Sequence, residues 1–132
     1  MKYSVDKAEH YSIISVGEDK LDATVAPELK SELLTMHAGG TRNVILDMSK
    51  VRYTDSSGLS SLLVGNRVFQ EDNGMFILAG LTEHVMKLIK ISQLDGVLEI
   101  LPTVQESIDA VFLHTVENDL NNDTSSGDES SN

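Results

Sequence analysis

Asn43-Val-Ile-Leu-Asp-Met-Ser-Lys-Val-Arg-Tyr-Thr-Asp-Ser-Ser-Gly-Leu-Ser-Ser-Leu-Leu-Val-Gly65 reads as an apolar strand, a short polar turn and an amphipathic helix. Val44-Ile45-Leu46 is a continuous apolar run, the kind expected when both faces of a parallel sheet are covered. Asp55-Ser56-Ser57-Gly58-Leu59 then leads directly into a helix with Leu59, Leu62, Leu63 and Phe69 on one side, ending before Asn73-Gly74. The turn sets the hydroxyls of Ser56 and Ser57 at a helix N-terminus. Unpaired N–H groups and the positive end of the helix dipole stabilise an added negative charge there. A serine held in that position is a candidate for regulated phosphorylation. The same residues also read as an ordinary helix cap, because Ser and Asp are common at N-caps.

Upstream of this stretch, Tyr3 to Ala8 and Tyr11 to Val16 are rich in β-formers and separated by a short polar break, which predicts an antiparallel hairpin. After Leu21-Asp22, the spacing of Val25, Leu29, Leu33 and Met36 predicts a helix ending at Gly39-Gly40, with Thr24 as cap and Pro27 in the first turn. Downstream, Met75 to Ala79 predicts a buried strand and Gly80 to Ile91 a helix. Val97 to Leu101 follows as a last strand, and Pro102-Thr103 starts a final helix through Val104, Ile108, Val111 and Phe112. From the second strand on, strands and helices alternate, so right-handed crossovers are required. The expected fold is one α/β domain with a mixed, mostly parallel sheet of four to five strands and about four helices.

The chain has 132 residues, enough for one domain, and a net charge of −11 from 21 acids and 10 bases. Residues 114–132 hold five of the acids and no Lys or Arg, and Asn118 to Asn132 contains one apolar residue in fifteen. Such a segment cannot offset its ordering entropy, so a folded body at 1–113 and a disordered acidic tail at 114–132 are expected. Even the body is acidic at −6, which argues against docking on nucleic acid or anionic lipid and favours protein partners. No segment resembles a signal peptide or a membrane span, and a cytoplasmic protein is expected.

Chemistry is sparse. The absence of cysteine excludes disulfides, zinc-thiolate sites and thiol nucleophiles. His10, His37, His84 and His114 are scattered without metal-ligand spacing, and Gly39-Gly40 is not followed by the Lys-Ser/Thr of a phosphate loop. Asp55 has no neighbouring His or second acid in sequence with which to form a metal site or a general base. No enzyme, metal or cofactor is expected.

With the strand, the Asp-Ser-Ser-Gly-Leu turn and the Leu-Leu helix in place, residues 3 to 112 resemble the STAS domain family, specifically its free-standing bacterial anti-sigma factor antagonists. The resemblance implies that Ser57, the second serine of the turn, is phosphorylated by an anti-sigma factor that is itself a serine kinase. Bare, such a protein captures the anti-sigma factor and frees the sigma factor. Phosphorylated, it lets go until a serine phosphatase resets it. The resemblance further implies a partner surface of Asp22, Asp55, Ser56, Ser57, Gly58 and Leu59, with Gly58 leaving room for another protein's active site. The chain departs from the family at Asp19, where a glycine is common two residues before the Leu-Asp pair, and in its acidic tail. One rival function is that of a STAS subunit in a transport or stress-sensing assembly, binding its partner without a phospho-switch. The other, a small hydrolase or phosphotransfer enzyme using Ser57 or Asp55, lacks a visible base.

Overall fold

The computed structural model describes the backbone of residues 1–131 and the side chains of residues 1–120. In chain order the elements are β1 (Tyr3–Lys7), β2 (Ser12–Val16), β3 (Lys20–Leu21), α1 (Ala26–Ala38), β4 (Asn43–Asp47), β5 (Tyr53–Thr54), α2 (Ser56–Glu71), β6 (Met75–Ala79), α3 (Glu83–Ile91), β7 (Glu99–Leu101) and α4 (Val104–Ser131). The main sheet has five strands in the order β1-β2-β4-β6-β7. Only the β1–β2 hairpin is antiparallel, registering Tyr3 against Val16, while β2–β4, β4–β6 and β6–β7 are parallel. This is the mixed, mostly parallel α/β domain with four helices that the alternating pattern predicts.

Successive residues of a strand point to opposite faces, and the burial of β4 divides accordingly. Val44 and Leu46 join Leu29, Leu33, Leu62, Phe69 and Phe76 in a core under α1 and α2, whereas Ile45 joins Ile77, Ala79 and Val111 under α4. The continuous apolar run is therefore needed because both faces are roofed. Helix α2 lies close to the sheet at Gly65, where a Cβ would come within 2.7 Å of the Phe76 ring.

Several local expectations are corrected. Helix α1 has Val25 at its N-cap with no side-chain cap bond; Thr24 instead donates its hydroxyl to Asp22 Oδ1 at 2.6 Å. Helix α3 starts at Glu83 because Gly80 adopts φ +68° and Thr82, at the N-cap, bonds to Val51 O across the fold. Phe112 is 44% exposed, although its spacing groups it with the core residues of α4.

Helix α4 runs on past residue 113, and the His114 ring lies 2.9 Å from Asn73 O, so this turn finds a partner on the folded body. The side chains of the acidic segment beyond Leu120 lie outside the described residues.

Candidate functional site

A two-stranded parallel ladder, β3 with β5, stands apart from the main sheet and pairs Lys20 with Tyr53 and Leu21 with Thr54. Sequence reasoning missed it, because two-residue strands carry no periodicity to detect. The ladder organises the turn. Leu21 O accepts from the Thr54 hydroxyl at 2.8 Å and from Asp55 N at 3.4 Å, tying the loop before α1 to the start of α2. Asp22 follows Leu21 directly, so this pairing brings Asp22 to the face that carries Asp55 and Ser57.

Asp55 is the N-cap of α2, with extended backbone and a carboxylate that accepts from Gly58 N at 3.1 Å. Ser56 and Ser57 are thus the first two residues of the helix, and neither caps it. The capping role expected of Ser57 in its bare form belongs to Asp55. With Gly58 N bound to the cap and Leu59 N bound to Asp55 O, the N–H groups of Ser56 and Ser57 have no intrahelical acceptor. Ser56 is exposed and Ser57 half-buried, so residue 57 keeps part of its surface in solvent at the start of a sixteen-residue helix.

Gly58 and Leu59 face inward. A Cβ on Gly58 would collide with Thr54 Oγ1 and Leu21 O and would sit 3.1 Å from Leu21 Cγ. The glycine is required by close approach of α2 to the β3–β5 ladder. Leu59, 8% exposed, is core. Around the turn, Ser56 is exposed and Asp22, Asp55 and Ser57 are half-buried.

Asp22 is held below the ordinary carboxylate range, first by the Thr24 hydroxyl and then by Thr24 N at 3.0 Å. Its main-chain oxygen accepts from Val25 N and Ala26 N, so the residue forms the entry to α1. The Asp19 main-chain oxygen accepts from Arg52 N and Tyr53 N, which closes the same loop where the family often has a glycine two residues before Leu21. Tyr53, 43% exposed, stacks on His84 with ring centroids 6.3 Å apart, extending the face toward α3.

No group of three or more His, Cys, Asp or Glu suited to a metal occurs among the described residues. A polar concavity of about 580 Å³, lined in part by His10, Arg42, Asn43 and His114, lies at the opposite end of the parallel strands from Ser57. What the turn offers is a partly exposed serine at a helix start, beside amides that lack intrahelical acceptors and stabilise added negative charge.

The STAS domain profile matches residues 3–107. BtrV of Bordetella bronchiseptica, named a candidate anti-sigma factor antagonist, is 29% identical over 114 residues, covering 85% of this chain and 95% of BtrV. The anti-sigma-B factor antagonist of Staphylococcus aureus is 33% identical over 89 residues, covering 66% of this chain and 80% of that protein. The phosphorylated form of the Bacillus cell fate determinant SpoIIAA superposes with a TM-score of 0.65 at 20% identity, over 83% of this chain and 99% of that one. The chain belongs to the STAS domain family, and its relatives by sequence are named as anti-sigma factor antagonists. No described helix is long and apolar enough to cross a membrane.

Proposed function

We propose, taking membership of the STAS family as the premise, that this chain is a non-catalytic anti-sigma factor antagonist switched by phosphorylation of Ser57. Unphosphorylated, it captures an anti-sigma factor that is a serine kinase and so releases a sigma factor for transcription. Phosphorylated, it lets the kinase go, and a serine phosphatase resets it. ATP and magnesium belong to the kinase, and the reaction takes place in the cytoplasm. The observation that carries this reading is the position of Ser57: partly solvent-exposed, second in α2, beside amides that lack intrahelical acceptors, with Asp55 already engaged by Gly58 N.

The physics of release follows from that position. A phosphate adds about −1.5 to −2 charge. The helix start offsets this by roughly 0.3 to 1 kcal/mol while Asp55 opposes it, so the local fold survives. Buried in a tight contact without a matched cation, the same group costs far more, because it loses its water. A penalty of about 3 to 4 kcal/mol weakens binding roughly 100- to 1,000-fold, which is enough for release with no large change of shape.

The test is incubation with the cognate anti-sigma factor kinase and ATP, followed by intact-mass and fragment analysis, with binding measured for Ser57→Ala and Ser57→Asp. A single phosphate on Ser57, retained binding in Ser57→Ala and weakened binding in Ser57→Asp are expected. Phosphate placed only elsewhere, or equal affinity of the two variants, refutes the switch. Co-purification with a transporter ATPase in place of the kinase would instead identify the chain as an assembly subunit.

A further inference from the structure

Helix α4 carries two apolar faces, of which the fold uses one. Val104, Ile108 and Val111 pack on the sheet with Ile45, Ile77 and Ala79. Phe112, Leu113, Val116 and Leu120 are 44, 65, 54 and 59% exposed. At about 100° per residue these four fall within an arc of roughly 100°, on the side of the helix away from the sheet. Phe112 anchors the upper end of the stripe, held edge-on by the His10 and Tyr11 rings at 5.7 and 6.2 Å. Isolated exposed apolar residues are ordinary, but a contiguous stripe on the solvent-facing side of a helix marks an interaction surface.

The charge around the stripe selects its occupant. Glu106 and Glu117 lie along one flank, Asp119 along the other, and Asp109 at the head, all of them exposed. No Lys or Arg occurs anywhere in the chain after Lys90. Lys7 and Arg42 line the polar concavity that Asp119 also borders, but Glu106, Asp109 and Glu117 have no basic residue on their own helix, so two copies of α4 laid together would set acids against acids, and an anionic lipid surface would repel them. We infer that the outer face of α4 is a second docking surface, distinct from the Ser57 turn, that takes a cationic amphipathic helix from a protein partner. Its apolar anchors seat on Phe112, Leu113, Val116 and Leu120, and its Lys or Arg residues meet the acidic rim, the arrangement of a helix laid on an apolar groove.

Fluorescence anisotropy on the full chain tests this with three labelled peptides of equal length: an amphipathic Leu–Lys helix, a Ser–Lys peptide of the same charge, and an amphipathic Leu–Glu helix. The Leu–Lys peptide is expected to bind at least about 10-fold more tightly than either control. The double variant Leu113→Ser with Val116→Ser leaves every charge in place and alters only exposed positions, so its circular dichroism and urea midpoint should match the wild type while Leu–Lys affinity falls about 10-fold. Equal binding of Leu–Lys and Ser–Lys, equal binding of Leu–Glu, or unchanged affinity in a folded double variant overturns the proposal. So does sedimentation showing a wild-type dimer that the double variant dissolves, because the occupant would then be a second copy.

Discussion

Replacing Gly58 with alanine probes the contact that positions the turn, and its outcome has a calculable sign. Alanine favours a helix over glycine by up to about 1 kcal/mol, so propensity alone predicts a gain. The added Cβ, however, meets Thr54 Oγ1 and Leu21 O, both fixed by their mutual 2.8 Å hydrogen bond and by the β3–β5 ladder. Backing α2 away costs about 1 to 3 kcal/mol as overpacking does, and turning the Thr54 hydroxyl aside takes that buried group off its Leu21 O acceptor at about 1 to 3 kcal/mol. The net expectation is a loss of about 2 to 4 kcal/mol. With a urea slope of about 2 kcal/mol per molar, the midpoint falls by roughly 1 to 2 M. Gly96→Ala is the matched control: a Cβ there meets nothing within 4 Å, so it should be neutral or stabilising by about 0.4 to 1 kcal/mol. Equilibrium urea unfolding of both variants, followed by circular dichroism, decides the matter. A Gly58→Ala midpoint equal to or above that of the wild type would show that α2 does not depend on close approach to the ladder, and the internal reason given for this glycine would fail.

Two further outcomes separate structural from recognition roles on the same face. Asp55→Ala should cost about 1 kcal/mol through loss of the cap, whereas Asp55→Asn keeps the acceptor and should unfold near the wild-type midpoint. Any fall in partner affinity in Asp55→Asn then reports the charge itself. Asp22 should titrate below the ordinary carboxylate range in an NMR pH series, and Thr24→Ala, which removes the largest cause, should raise it toward the usual value. Because the folded value is the lower one, ionised Asp22 contributes its stabilisation above the unfolded value and loses it as pH falls through the folded value. The α1 entry should therefore hold at neutral pH and loosen only in acid.

The elements most legible in the sequence are those whose burial follows a local period. The β1–β2 hairpin, β4, α2 and β6 lie close to where alternation, apolar runs and the four-three spacing put them. Legibility falls wherever a residue's role depends on a distant partner. Thr24 and Ser57 are good cap residues by type, yet Thr24 serves Asp22 and Asp55 takes the cap of α2, because several neighbouring oxygens compete for the same few amides. Phe112 has the spacing of a core residue, but the inward arc of α4 is already filled by Ile108 and Val111, and its ring lies instead beside His10 and Tyr11.

Apolar period and turn chemistry are local properties of the chain, so they were enough to establish the order of the main-sheet strands and the helices, the mostly parallel sheet and a serine hydroxyl at the opening of a helix. The face around that hydroxyl is a different matter. Leu21 and Thr54 stand 33 residues apart, and only their pairing sets Asp22 beside the turn and turns Gly58 inward. The same holds for α4, whose apolar spacing is visible in the chain but whose division into a packed face and a free one appears only when the sheet claims one of them. Contacts of this kind are chosen by the packing of whole layers, and no short window of residues carries that information.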